Sequence, residues 1–185
     1  METLLALDHQ LFLLINHLPH DVLWDTVALT LSGIGAGGLI WLALSILIFV
    51  RVERRDHWFF LPVICATALS QLITNLFLKD LFARNRPPLS LGTINVGGPL
   101  SDYSFPSGHA TFAWALAIVL ASKEPRLKYL YYFLAFLISL SRIYLGNHYP
   151  ADVATGSIVG LLIGFVSLWV ERRIIDYRIH KRKHR

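Results

Sequence analysis

The sequence predicts an all-α protein: a polytopic membrane bundle of about five transmembrane helices, preceded by a short amphipathic helix. Three observations predict it. Hydrophobic residues make up 55% of the 185, and the mean hydropathy is +0.53. Charged residues make up 16%, against about 25% in soluble globular chains. Several apolar runs have the ~20 residues that cross a bilayer. The chain therefore reads as one integral membrane domain, 1–185, with no cleavable leader at its start, which lacks a cationic segment.

Residues 4–18 place Leu4, Leu7, Leu11, Leu14 and Leu18 at steps of three and four, broken by Asp8, His9, Gln10, Asn16 and His17. The segment is too short and polar to span, so residues 1–20 read as a helix lying in the membrane interface. The first span is expected over 24–50, with Gly33, Gly35, Gly37 and Gly38 favouring close contact or a kink. The second covers 58–78, the third 107–122, the fourth 129–145, and the fifth 153–170. Gly156, Gly160 and Gly164 give the fifth two overlapping GxxxG spacings, which suit packing within the monomer better than dimerisation. Cys65 lies in an apolar run and reads as a small buried hydrophobe. Gln71 and Asn75 are expected to bond to neighbouring helices.

Five spans put the connections alternately on two sides. One side holds Arg51, Arg54 and Arg55, then Lys123, Arg126 and Lys128, then Arg172, Arg173, Arg178, Lys181, Arg182, Lys183 and Arg185 of a basic tail, 171–185. These are 13 of the 17 Lys and Arg residues. The positive-inside rule makes this side cytoplasmic. A polybasic tail beside a membrane attracts anionic lipid heads, so it needs no nucleic-acid partner. The other cations, Lys79, Arg84, Arg86 and Arg142, oppose the orientation signal and call for another purpose.

Three of them belong to motifs. Lys79 is followed after six residues by Arg86-Pro87; Pro106-Ser107-Gly108-His109 opens an apolar helix; Ser141-Arg142 precedes His148 and Asp152. Cleaving a phosphate ester needs cations and N–H donors around the phosphoryl oxygens, an in-line nucleophile, and an acid for the leaving oxygen. Lys79, Arg86 and Arg142 supply the cations. Ser107 is a good N-cap, and the helix it opens points N–H groups at an anion. Asp152 can set the tautomer of His148 and free its other nitrogen to attack. Taken singly each motif is weak: Lys79 alone could snorkel to the interface, Ser-Gly-His could be an ordinary helix start, and Asp152 could be a cap. His109, His148, Asp152 and Asp102 could ligate zinc in principle, but three fixed cations nearby would repel it. The remaining histidines, His9, His17, His20, His57, His180 and His184, read as interfacial or solvated. The long connection 83–106, rich in Pro and Gly, is expected to be irregular and to cap the site or shape lipid access. Arg84 is expected to touch a substrate head group or a second phosphate.

The pattern KxxxxxxRP, PSGH, SRxxxxxHxxxD over residues 79–152 resembles the signature of the type 2 phosphatidic acid phosphatase (PAP2) superfamily, in its membrane branch. The resemblance implies a metal-free lipid phosphate phosphatase with no cofactor. His148 would be the nucleophile, oriented by Asp152, and His109 the general acid. Lys79, Arg86, Ser107, Gly108 and Arg142 would hold the phosphate. Many membrane members have six spans, so the amino-terminal helix reads as a shortened counterpart of the first. Two other classes stay open: a phosphotransferase using the same phosphohistidine, and a non-enzymatic lipid-phosphate binder. The superfamily's haloperoxidases are soluble, which the apolar spans argue against. The expected setting is the inner or cytoplasmic membrane, the site facing the periplasm or cell exterior and the carboxyl end the cytoplasm. The expected partners are membrane lipids and a lipid phosphate, with no obligate protein partner.

Overall fold

A computed structural model of the chain describes residues 2–51, 58–98 and 100–183. Arg54, Arg55, His57, Pro99, His184 and Arg185 lie outside the described residues. The described residues form helices joined by turns, with no strand among them. They are α1 (Glu2–Asn16), α2 (Val22–Gly35), α3 (Leu39–Arg51), α4 (Phe60–Ser70), a π-helical stretch (Gln71–Leu78) running into α5 (Lys79–Phe82), α6 (Gly108–Lys123), α7 (Lys128–Tyr144) and α8 (Pro150–Lys183).

The centre of the bundle is α6. It is apolar all round, and every residue from Ala110 to Ala121 except Trp114 is buried, as expected for a helix enclosed by others. Its alanines let α8 come close. A Cβ on Gly156, Gly160 or Gly164 would fall 2.8 Å or less from a backbone carbonyl oxygen of Ser107, Thr111 or Ala115. The glycine spacing thus serves packing within the monomer. The outer surface is apolar: Leu76, Phe136, Leu162 and Trp169 are each at least half exposed, the arrangement that a lipid solvent favours.

The expected first span is bent at its glycines, where the sequence allowed close contact or a kink. Helices α2 and α3 meet at 64° across the short 3₁₀ turn Ala36–Gly38, where Gly38 takes a positive φ of 76° that other residues resist. By length and composition, two helices among the described residues can cross a membrane, Phe60–Phe82 and Pro150–Lys181, and the bent pair makes a third if it is one span. Helices α6 and α7 have 16 and 17 residues, short of the ~20 that span hydrocarbon.

The amino-terminal helix packs on the bundle, which its interfacial reading does not exclude. Its leucines, Leu4, Leu7, Leu11 and Leu14, point outward, and its polar residues Asp8 and Asn16 are buried with Phe12 against the bundle. These three lie four residues apart and share one face. Asn16 donates to the carbonyls of Ile94 and Tyr144 and accepts from the amide of Ile94. The long connection is thereby tied to α1 and α7. The basic tail is not a separate segment: α8 continues through it as one helix of 34 residues, with Lys123 of α6 bonded to its Glu171 at 2.6 Å. Cys65 is half-buried rather than enclosed.

Candidate active site

The start of α6, the start of α8 and the end of α7 meet at one end of the bundle, beside the π-helical stretch and α5. A cavity of about 750 Å³ opens there, lined by Lys79, Arg86, His109, Arg142 and His148 together with Gly108. Segments separated by up to 69 positions in the chain thus converge, as their motifs predicted. Lys79 and Arg142 are buried, with 7% and 5% of their surface exposed. Charges held so far from water must be paired or aimed at a ligand.

Arg142 donates from Nη1 to the hydroxyl of Ser32 on α2, and its buried Nε has no hydrogen-bond partner. Lys79 and Arg86 share the carboxylate of Asp102, from the long connection: Lys79 Nζ bonds Oδ2, and Arg86 Nη2 lies 2.7 Å from Oδ1. Burial pushes the Asp102 carboxyl upward, but the bonds from Lys79 and Arg86 outweigh it and hold the group at about 2. A carboxylate therefore already sits between two of the three cations. The cluster accepts an anion.

His148 is 1% exposed, and its two nitrogens have different surroundings. Nδ1 lies 2.8 Å from the carbonyl oxygen of Ser104, an acceptor, so it carries the proton. Nε2 is then the bare nitrogen. It accepts from Nη1 of Arg86 at 3.2 Å on the cavity side. Burial pushes the imidazole down to about 4, with Arg86 and Arg142 acting in the same direction against Asp152. The ring is neutral at pH 7, with a lone pair among cations.

Asp152 does not touch His148 directly. Its Oδ2 stands 3.7 Å from Nδ1, with Ser104 between them, whose hydroxyl donates to the carboxylate. The sequence places Asp152 four residues after His148 but says nothing of Ser104, which belongs to no motif. Ser107 is fully buried; its hydroxyl accepts from the amide of Ala110 at 3.5 Å and caps α6. It stands behind the cavity wall, and Gly108 and His109 form the wall. The N–H groups of that first turn have no intrahelical acceptor. A Cβ on Gly108 would fall 2.9 Å from Oδ1 of Asn75, so the glycine lets the two elements close on each other.

Two expectations change. Arg84 does not line the cavity. It lies behind it, bonded to Asp152 at 2.6 Å and to Asp8 at 2.7 Å. Gln71 and Asn75 bond each other within one helix and line the cavity, with Asn75 also packed close against Gly108 of α6. Sequence reading also missed Ser32, Asp8 and Ser104; only Asp8 left a trace, in its shared face with Phe12 and Asn16.

Fold and site together define a helical membrane protein with an anion pocket and an unprotonated histidine nitrogen at one end of the bundle. The PAP2 superfamily model matches residues 58–176, and the chain belongs to that family. It is similar to the undecaprenyl-diphosphatase BcrC of Bacillus subtilis, 24% identical over 86% of this chain and 82% of that one. It is 36% identical to a decaprenylphosphoryl-5-phosphoribose phosphatase of Mycobacterium tuberculosis, over 74% of each. The crystal structure of Aquifex aeolicus LpxE superposes with a TM-score of 0.70 at 32% identity, covering 86% of this chain and 93% of that one.

Proposed function

We propose that this protein is a membrane phosphatase that hydrolyses a lipid phosphate or diphosphate through a phosphohistidine on His148. The observation that carries the reading is the carboxylate of Asp102 held by Lys79 and Arg86 beside the bare Nε2 of His148. A phosphoryl group entering the pocket replaces that carboxylate and brings the oxygens that the orphaned Nε of Arg142 lacks.

The lone pair on Nε2 attacks phosphorus in line with the lipid oxygen. The P–N bond forms as the P–O bond breaks, and His109, which takes up a proton as the phosphoryl dianion enters beside it, gives that proton to the departing oxygen. Lys79, Arg86, Arg142 and the N–H groups at Gly108 hold the equatorial oxygens as charge spreads over them. Ser107 fixes that turn by capping it. Water then attacks phosphorus, His109 takes its proton, the P–N bond breaks, and inorganic phosphate leaves. Asp152 keeps Nδ1 as the protonated nitrogen through Ser104. Three fixed cations do the neutralising that a metal would otherwise do, so turnover survives EDTA.

The two curated relatives named above act on polyprenyl-linked substrates, which supports a lipid of that kind for this chain. The basic end of the bundle supports a site on the periplasmic or external face of the cytoplasmic membrane, with the carboxyl end inside and no protein partner required. Phosphate release from undecaprenyl diphosphate, phosphatidic acid, phosphatidylglycerol phosphate and lipid A, compared between wild type and His148→Ala, tests the reading. Release that depends on His148 is expected. Phosphoryl transfer to an acceptor lipid in place of water would make the protein a transferase, and undiminished release by His148→Ala would overturn the scheme.

A further inference from the structure

We infer that Asp8 and Arg84 are positioning residues for the transfer step: with Asp152 they form a chain of charges, its two carboxylates buried, that orients His148 and balances the positive charge it acquires. This rests on the reading of His148 as nucleophile.

The carboxylate of Asp152 is 0% exposed and therefore needs a counter-charge. His148 cannot supply one in the resting state, because its ring is neutral and its Nδ1 bonds the Ser104 carbonyl. Arg84 supplies it, with Nη1 2.6 Å from Oδ1 of Asp152. The guanidinium is in turn fixed from two sides. Nη2 reaches Oδ2 of Asp8 at 2.7 Å, and the group lies 4.1 Å over the ring of Tyr149. Oδ1 of Asp8 accepts from the amide of Ala151 at 2.8 Å, at the start of α8. The backbone joins the same device. The carbonyl of Arg84 accepts from the amide of Ser104 at 2.8 Å, and Ser104 is the residue that holds Nδ1. Ala83, in the left-handed region at φ 45°, turns the chain off α5 and directs Arg84 to the rear of the site.

The charges along this line alternate: negative at Asp8, positive at Arg84, negative at Asp152. Their sum is one negative charge behind His148. When Nε2 bonds to phosphorus the imidazole becomes positive, with its proton still on Nδ1. The line then becomes neutral overall. Without the carboxylate of Asp8, Arg84 cancels Asp152, and the new charge on His148 forms with no partner. None of Asp8, Arg84 and Asp152 lines the cavity. The loss therefore falls on the chemical step, not on phosphate binding. The amino-terminal helix is in this respect part of the catalytic frame and not only a membrane anchor.

The test uses the full chain in detergent with undecaprenyl diphosphate and phosphatidic acid as substrates and inorganic phosphate as inhibitor. Asp8→Asn is expected to lower kcat ~10- to 100-fold, the effect of losing one buried charge interaction, with KM and the inhibition constant of phosphate within about twofold of wild type. Arg84→Gln also lowers kcat, because Asp152 loses the bond that fixes it, and the Asp8→Asn/Arg84→Gln pair, in which Asp152 alone again leaves one negative charge behind His148, loses no more than Arg84→Gln alone. If Asp8→Asn also unfolds at a lower temperature, Asp8→Glu decides the matter: restored kcat supports the charge line, and kcat still depressed in a chain of wild-type stability overturns it. Wild-type kcat in Asp8→Asn, or a loss confined to KM, overturns the inference while His148→Ala remains inactive. A His148→Ala variant as active as wild type instead overturns the reading of the site itself.

Discussion

Oδ1 of Asp102 lies 2.7 Å from Nη2 of Arg86, and its other oxygen meets Nζ of Lys79. A half-exposed carboxylate from an irregular connection thus occupies the place where the motif cations would hold a phosphoryl oxygen. In the proposed scheme, substrate and Asp102 compete for the same two donors. The Asp102→Asn variant is expected to bind inorganic phosphate about two- to fivefold more tightly, the scale of a partly solvated ion pair. Inhibition of lipid hydrolysis by added phosphate measures it, and weaker inhibition would refute the competition.

Arg142 gives a second prediction. Its Nη1 is committed to Ser32 and its Nε is unpartnered. Arg142→Ala should lower kcat/KM by ~10²–10³, the usual cost of one preorganised donor on a charged transition state. Arg142→Lys should recover little, because an ammonium cannot reproduce the planar fork. Steady-state kinetics of both variants check this.

The neutral imidazole of His148 sets the behaviour in acid. In the proposed scheme protonation of Nε2 removes the nucleophile, and burial delays it from the ordinary 6.5 to about 4. The acid limb of kcat/KM should fall near pH 4, not near 6.5. Stability follows the same group. Between those two values the unfolded chain binds a proton that the folded chain refuses, so stability is full above 6.5 and declines as pH falls toward 4. A His148→Gln variant should show a flatter unfolding temperature between pH 7 and 4.5; an unchanged slope would exclude His148 as the source.

Close packing of α6 and α8 makes Gly160 sensitive. An alanine there places its Cβ against the carbonyl oxygen of Thr111, and the helices must part. The expected loss is ~1–3 kcal/mol. At Gly33 a Cβ meets nothing within 4 Å, and Gly33→Ala should leave stability unchanged or raise it slightly by restricting the unfolded chain. Thermal unfolding of the two variants in detergent compares them directly.

Removing the side chain of Asn16 should loosen the long connection. Its amide makes three hydrogen bonds, two of them to Ile94, and no water replaces them at a fully buried position. Asn16→Ala is expected to cost ~1–3 kcal/mol. Faster amide exchange around residues 92–96, with α6 unaffected, would locate the effect.

The all-helical membrane class, the convergence of three motifs, and the packing use of Gly156, Gly160 and Gly164 were legible from the amino-acid order. Each is written in local terms: hydropathy over a helix length, residue types whose chemistry is specific in combination, and small side chains at helical spacing. Only the tertiary structure shows that Arg84 bonds Asp152 and Asp8 away from the cavity, that Ser104 intervenes between Asp152 and His148, and that Asp8 and Asn16 face inward while leucines face out. It also set the 64° bend after Gly35, where the glycines allowed either close contact or a kink. Partners 68 to 128 residues apart in the chain leave no periodic trace. Which of two neighbouring cations lines the cavity and which meets a buried carboxylate depends on a few ångströms of backbone direction, set here by one left-handed residue, Ala83.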